Sequence, residues 1–147
     1  MRVLIADDDK LVCDLLAQFV RFCEHEVVAT VSGGGLAVIQ SFARLQPDLV
    51  LLDVLMPRFN GLTVCHALLS RKPDAKIVLM SGMVGNDHPF LRACGAMAFL
   101  RKPMHIDDLR EVLDEAENWQ LEPPVLPNDS VLSWTDDPKG LADSGAA

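Results

Sequence analysis

Four short apolar runs in this chain lead directly to side chains suited to phosphate chemistry. Asp7-Asp8-Asp9 follow Val3-Leu4-Ile5-Ala6, Asp53 closes Leu49-Val50-Leu51-Leu52, Ser81 closes Ile77-Val78-Leu79-Met80, and Lys102-Pro103 come just after Ala98-Phe99-Leu100. With Asp7, Asp8 and Asp53 ionised and Lys102 protonated, the group carries a formal charge of −2. Clustered carboxylates repel one another until one is pushed towards protonation. A hard divalent cation held through oxygen removes that charge. Mg²⁺, which keeps several of its waters, suits one or two carboxylates plus a phosphoryl oxygen. A carboxylate is already a nucleophile at neutral pH and needs no general base. If Asp53 attacks phosphorus, Mg²⁺ and Lys102 neutralise charge on the transferring oxygens and Ser81 donates a hydrogen bond to one of them. That is the positioning and electrostatics phosphoryl transfer requires, and its product is an acyl phosphate on Asp53.

Such chemistry needs a frame that brings four distant run ends together. A fifth run, Val27-Val28-Ala29-Thr30-Val31, is followed by the uncharged Ser32-Gly33-Gly34-Gly35. None of the five alternates with polar residues, as expected of parallel strands buried on both faces. Between them the apolar spacing is helical. Val12, Leu15, Leu16, Phe19 and Cys23 share one face, as do Leu36, Ile39 and Ala43, then Leu62, Cys65, His66 and Leu69. Asp87-His88-Pro89 predicts a cap and first-position proline of a short helix ending at Gly95. The last helix carries Ile106, Leu109, Val112, Leu113 and Ala116, with Asp107 and Asp108 in its first turn, where the helix dipole favours negative charge. Five β–α units in strict alternation predict an α/β, doubly wound parallel sheet. Right-handed crossovers place every strand's carboxyl end on one edge, and open α/β sheets bind ligands there, near the point where strand order reverses.

At these residues the chain resembles the receiver domain of two-component response regulators, over about residues 1–119. The resemblance rests on the acidic pair in Ile5-Ala6-Asp7-Asp8-Asp9 and on Asp53 within Pro47-Asp48-Leu49-Val50-Leu51-Leu52-Asp53-Val54-Leu55-Met56-Pro57. It also rests on Gly61, Ser81-Gly82 and Phe99-Leu100-Arg101-Lys102-Pro103, all in the family's order. It implies a flavodoxin-like (βα)5 sandwich of five strands in the order 2-1-3-4-5. It implies Asp53 as phosphoacceptor, fed by the phosphohistidine of a sensor histidine kinase or phosphotransfer protein. Asp7 and Asp8 would hold Mg²⁺ with Asp53 and the backbone carbonyl of Leu55. Ser81 stands at the family's Thr/Ser position, Lys102 at its phosphate-binding lysine and Phe99 at its switch aromatic. Phosphorylation would then shift a population between two conformers. The shift would be read out on the face built from the fourth helix, fifth strand and fifth helix, by a downstream protein, by homodimerisation or by onward transfer of the phosphoryl group. Two departures stand out: Gly82 where Ala is common, which leaves the loop looser, and Arg58-Phe59-Asn60 in place of a small-residue turn.

The remaining composition bounds the reading. At 147 residues, half of them apolar, the chain holds one sizeable core with room for an appendage. Residues 1–119 carry 12 basic and 16 acidic side chains, whereas residues 120–147 carry Lys139 alone against five acids. With Pro123-Pro124, Pro127 and Pro138 the latter reads as an acidic, Pro-containing tail or linker, in which Val131-Leu132-Ser133-Trp134 is the one block able to dock on anything. A net charge of −8 opposes direct nucleic-acid binding. No apolar run reaches membrane-spanning length and Asp7 comes too early for a signal peptide. Cys13, Cys23, Cys65 and Cys94 form no CxxC, so a reduced, cytoplasmic protein with small core cysteines is expected.

The triglycine lacks the pattern of a phosphate cradle and reads as a flexible lead-in to the second helix, and Asp9 reads as a helix cap. Neither His25, His66, His88 nor His105 has metal-ligand spacing, and Met80, Met83, Met97 and Met104 read as packing. An aspartyl-phosphate phosphatase of the haloacid dehalogenase type is excluded, because Leu55 occupies the place of its general acid. The resemblance implies no enzyme beyond one that catalyses its own aspartyl phosphorylation and dephosphorylation. A binding-only receiver and the N-terminal fragment of a longer multidomain regulator are the alternatives.

Overall fold

The computed structural model describes residues 1–56, 60–82 and 94–119. Arg2–Ala6 (β1), Glu26–Val31 (β2), Leu49–Asp53 (β3), Lys76–Ser81 (β4) and Ala98–Arg101 (β5) form one parallel sheet in the order β2-β1-β3-β4-β5. Lys10–Phe22 (α1), Gly35–Leu45 (α2), Gly61–Arg71 (α3) and a C-terminal helix, Ile106–Asn118, connect or follow the strands. The predicted fold class and strand order are thus observed. Strand order reverses between β1, which Asp7 and Asp8 follow, and β3, which ends in Asp53. No helix among the described residues is long and apolar enough to cross a membrane.

The period-two geometry of strands divides the core into two layers. Val3, Ile5, Leu49, Leu51, Val78 and Met80 face α1 and the C-terminal helix, while Leu4, Ala6, Val50, Leu52, Ile77 and Leu79 face α2 and α3. All twelve are completely buried, so β1, β3 and β4 are covered on both faces as their unbroken apolar runs predict. The expectation fails for β2 and β5, where only Val31 and Leu100 are buried. These are the sheet's two edges, and an edge strand packs less of its surface.

Three predicted helix faces are rotated from the observed ones. α1 buries Cys13, Leu16, Ala17 and Val20 while Leu15 is exposed, α2 buries Gly35, Val38 and Phe42 while Leu36 is exposed, and α3 buries Gly61, Val64, Cys65 and Leu68 while His66 is exposed. In each helix two apolar stripes lie side by side, and apolar spacing alone does not decide which one the sheet covers. The C-terminal helix follows expectation at Leu109, Val112, Leu113 and Ala116, with Ile106 exposed at its start. Asp9 caps α1 as predicted, accepting the Leu11 N–H at 2.9 Å, and Asn60 caps α3 through the Leu62 N–H at 2.7 Å. The Asp87-His88-Pro89 helix start, Phe59, Met83 and the whole tail with Trp134 lie outside the described residues.

The β3–α3 connection is built around the lack of a side chain. Gly61 donates its N–H to the Val54 carbonyl at 2.6 Å, and a Cβ at position 61 would lie 2.2 Å from the Asp53 carbonyl oxygen and 2.6 Å from the Val54 Cα. Backbone cannot yield as a flexible side chain can. Gly61→Ala is therefore expected to lower the unfolding free energy by about 1–3 kcal/mol, the usual range for overpacking, measured by urea denaturation. A wild-type midpoint in the variant would show that the loop moves aside freely.

Candidate functional site

Each site residue sits where a strand's hydrogen bonding is extended just past its end. The Asp7 N–H donates to the Val31 carbonyl at 3.1 Å, the Val54 N–H to the Met80 carbonyl at 2.9 Å, and the Lys102 N–H to the Ser81 carbonyl at 2.9 Å. These bonds pin Asp7, Asp53, Ser81 and Lys102 to one edge of the sheet although they lie far apart in the chain. The Lys102–Pro103 peptide bond is cis.

Asp7 is completely buried. Its Oδ1 accepts the Asp9 N–H at 2.9 Å, and its Oδ2 accepts the Lys102 ammonium at 2.5 Å. Asp53 is only 3% exposed; its Oδ1 accepts the Leu55 N–H at 3.3 Å and its Oδ2 lies 3.5 Å from Lys102 Nζ. Asp8 is exposed, and Asp7, Asp8 and Asp53 each offer an oxygen within 4.8 Å of the other two. One ammonium thus serves two buried carboxylates, with the exposed Asp8 clustered beside them.

The electrostatic consequence falls on Asp53. Burial, then the neighbouring Asp7 charge, push its carboxyl up from 3.8 to about 6, against the opposing pull of Lys102 and the Leu55 N–H. It is still mostly ionised at neutral pH. Burial works to lower the Lys102 pKa, but the hydrogen bond to Asp7 and the charges of Asp53 and Asp7 outweigh it and hold the ammonium above its usual value. An all-oxygen set of three carboxylates, incompletely neutralised, fits a hard divalent cation such as Mg²⁺ and is poorly matched to softer metals that prefer nitrogen or sulfur.

The other predicted residues are placed less tightly. Ser81, 1% exposed, ends β4 beside β3, where Asp53 pairs with Met80. Leu55 contributes its N–H to Asp53 and forms an isolated bridge with Asn60, while its side chain is 51% exposed. Phe99 pairs with Leu79 in β5 and is half-buried against the α2–α3 side of the core. At Gly82 a Cβ would meet Lys102 Cβ at 3.6 Å, an ordinary contact, so the missing methyl leaves space beside the lysine stem.

Residue chemistry did not single out Cys13, whose buried thiol donates to the Asp7 carbonyl at 3.3 Å, because nothing marks a helical cysteine as a neighbour of a strand-end aspartate. Beside Lys102 an open groove of about 870 Å³ runs between α1 and the start of the C-terminal helix, bordered by Leu15, Phe19, Phe22, Met104 and Ile106.

Residues 3–114 match the family model described as the response regulator receiver domain. The chain is 30% identical over 118 residues to the chemotaxis protein CheY of Listeria monocytogenes, covering 79% of this chain and 98% of that one. It is 32% identical over 133 residues to the DNA-binding transcriptional regulator NtrC of Azospirillum brasilense, covering 87% of this chain but only 26% of that one. Among solved structures, a CheY-like receiver domain protein from Methanospirillum hungatei superposes with a TM-score of 0.70 at 26% identity, covering 80% of this chain and 96% of that one. The chain belongs to the response regulator receiver family, and its Asp7, Asp8 and Asp53 form the carboxylate cluster of that family's Mg²⁺ site. It is a two-component signalling domain, of the family that catalyses its own aspartyl phosphorylation and dephosphorylation.

The crowded carboxylates should be visible in stability. In metal-free buffer the folded state retains a proton on Asp53 at pH values where the unfolded chain has lost it, so this residue's contribution falls as pH rises from about 4 to 6 and stays low above that. Asp53→Asn is expected to raise the unfolding free energy at neutral pH by about 1–3 kcal/mol. Added Mg²⁺ should then stabilise the wild type much more than the variant. Thermal unfolding of both proteins with and without Mg²⁺ reads this, and a variant less stable than the metal-free wild type would contradict it.

Proposed function

We propose that Asp53 is the phosphoacceptor and that Asp7, Asp8, Asp53 and the backbone carbonyl of Leu55 hold the Mg²⁺. The observation that carries this is the 3.5 Å separation of Asp53 Oδ2 from a Lys102 ammonium that also binds buried Asp7. Lys102 is thereby held ready to meet an incoming phosphoryl oxygen. When bound, Mg²⁺ supplies further charge neutralisation on those oxygens. An Asp53 carboxylate oxygen forms the new O–P bond. In a phosphohistidine donor the P–N bond breaks, and the imidazole leaves with the electron pair and takes up a proton. Ser81 donates its hydroxyl to a phosphoryl oxygen, and Phe99 follows that movement inward. The fully buried neighbours in β1, β3 and β4 keep these groups from rearranging during the step.

The receiver spans residues 1–119, with 120–147 an acidic tail; the end of the family match at residue 114 and of the last helix at Asn118 support that boundary. A sensor histidine kinase or phosphotransfer protein is the donor, and the apolar groove beside Lys102 offers a protein donor a surface next to Asp53. The signal leaves through the face that includes β5 and the C-terminal helix, to a downstream protein or a second copy; the half-buried Phe99 in β5 supports this reading.

Incubation with acetyl phosphate and Mg²⁺ is expected to add one phosphoryl group, seen by intact mass. The adduct should be absent without Mg²⁺ and absent in Asp53→Asn. No adduct on the folded wild type would make the chain a binding-only receiver. The exposed, apolar Leu55 side chain cannot orient a hydrolytic water, so self-dephosphorylation should be slow. Leu55→Asn is expected to speed decay of the isolated phosphoprotein several-fold, and an unchanged decay rate would remove Leu55 from that role.

A further inference from the structure

Away from the acidic edge, two of the four cysteines are brought together from positions far apart in the chain. Cys65 lies on the sheet-facing side of α3 and is completely buried, whereas Cys94 is half-buried just before β5. The Cys65 Sγ lies 3.8 Å from the Cys94 carbonyl oxygen. The close approach is built into the backbone. Gly95 turns with φ +86°, and a Cβ there would come within 2.9 Å of Leu69 Cδ1, so the chain is pressed against α3 one turn beyond Cys65. Both residues also belong to the same packed layer of the core.

The two thiols differ in exposure. Burial, then the adjacent Cys94 thiol, push the Cys65 thiol up to about 12, and a hydrogen bond between the two side chains adds to this. Cys65 therefore remains a protonated thiol at neutral pH. Cys94, within reach of solvent, is the sulfur that an oxidant meets first.

We propose that Cys94 and Cys65 form an oxidisable dithiol that closes to a disulfide in response to a peroxide-class oxidant. The Cys94 thiolate attacks a peroxide oxygen, the O–O bond breaks, and a sulfenic acid forms with release of hydroxide or alkoxide. The Cys65 sulfur then attacks the sulfenic sulfur, its proton leaves with the hydroxyl as water, and the S–S bond forms. Because Cys65 stays a protonated thiol, this second step is slow. The bond would tie α3, whose first residue Gly61 lies beneath Asp53, to the lead-in of β5, which carries Phe99 and precedes Lys102. Oxidation would thus restrain the segment between residues 65 and 94, which includes Ser81.

The test is to treat the full chain with hydrogen peroxide, alkylate the denatured protein and measure its mass before and after dithiothreitol. The expected result is loss of two alkylatable thiols, a linked peptide pair containing Cys65 and Cys94, and full recovery on reduction. In Cys65→Ala, which keeps an apolar side chain at the buried site, Cys94 should stop at the sulfenic acid and be trapped by dimedone. Cys94→Ser should keep all three remaining thiols at the same peroxide dose. Four alkylatable thiols in oxidised wild type, or linkage of Cys94 only between chains, would overturn the proposal. Because neither readout involves Asp53, failure here leaves the phosphoacceptor assignment untouched.

Discussion

Three clustered carboxylates, two of which share the Lys102 ammonium, are the constraint on which the rest of this molecule depends. An isolated ionised carboxylate in a protein interior costs several kcal/mol even after relaxation, yet Asp7 and Asp53 are almost entirely removed from solvent. The fold tolerates this because the charges stand at the end of the sheet and not within it. One face meets Lys102 and backbone N–H donors, and the acidic side stays open through Asp8. The residual negative charge is the source of affinity for a cation and, after burial, the second cause of the raised pKa of Asp53. A site optimised for stability alone would not keep it.

Holding such a cluster in place falls to the three central strands. β1, β3 and β4 contribute the twelve completely buried side chains that pack both layers, so their ends are fixed by dense apolar packing. The strands least buried, β2 and β5, are the edges. β2 brings no charged group to the site, whereas β5 leads to Lys102 and carries Phe99. The parts of the site fixed by the core are therefore the carboxylates, and the part on looser ground is the cation that reports on them. Gly61 adds a further restriction, since the backbone bearing Asp53 passes so close to α3 that no side chain fits between them.

The strand ends were legible in the sequence because chemistry and architecture coincide there. Asp7, Asp8, Asp53, Ser81 and Lys102 each follow an apolar run, and alternation of runs with helical spacing fixes which edge they share. Helix orientation was not legible to the same degree. In α1 the apolar residues cover more than the sheet-facing side, so the spacing that selects Leu15 is as regular as the one that selects Ala17. The surplus apolar residues border the groove beside Lys102 instead of the core. Gly61 was recognisable as a motif position, but the reason for it, that a Cβ there would fall 2.2 Å from the Asp53 carbonyl oxygen, exists only in three dimensions. The neighbourhood of Cys65 and Cys94 was equally hidden, because nothing in their separation along the chain brings them together.

Lys102 has a further consequence through its two ends. Its main chain is bonded to the last residue of β4 and continues from β5, while its side chain reaches the aspartates that follow β1 and end β3. One residue thus rivets four of the five strands at the same rim. In mechanical terms the rim behaves as a truss with a single shared joint. Load applied at any one strand end is distributed through that joint to the other three, and β2 joins it at one remove, through the Asp7 N–H bond to the Val31 carbonyl.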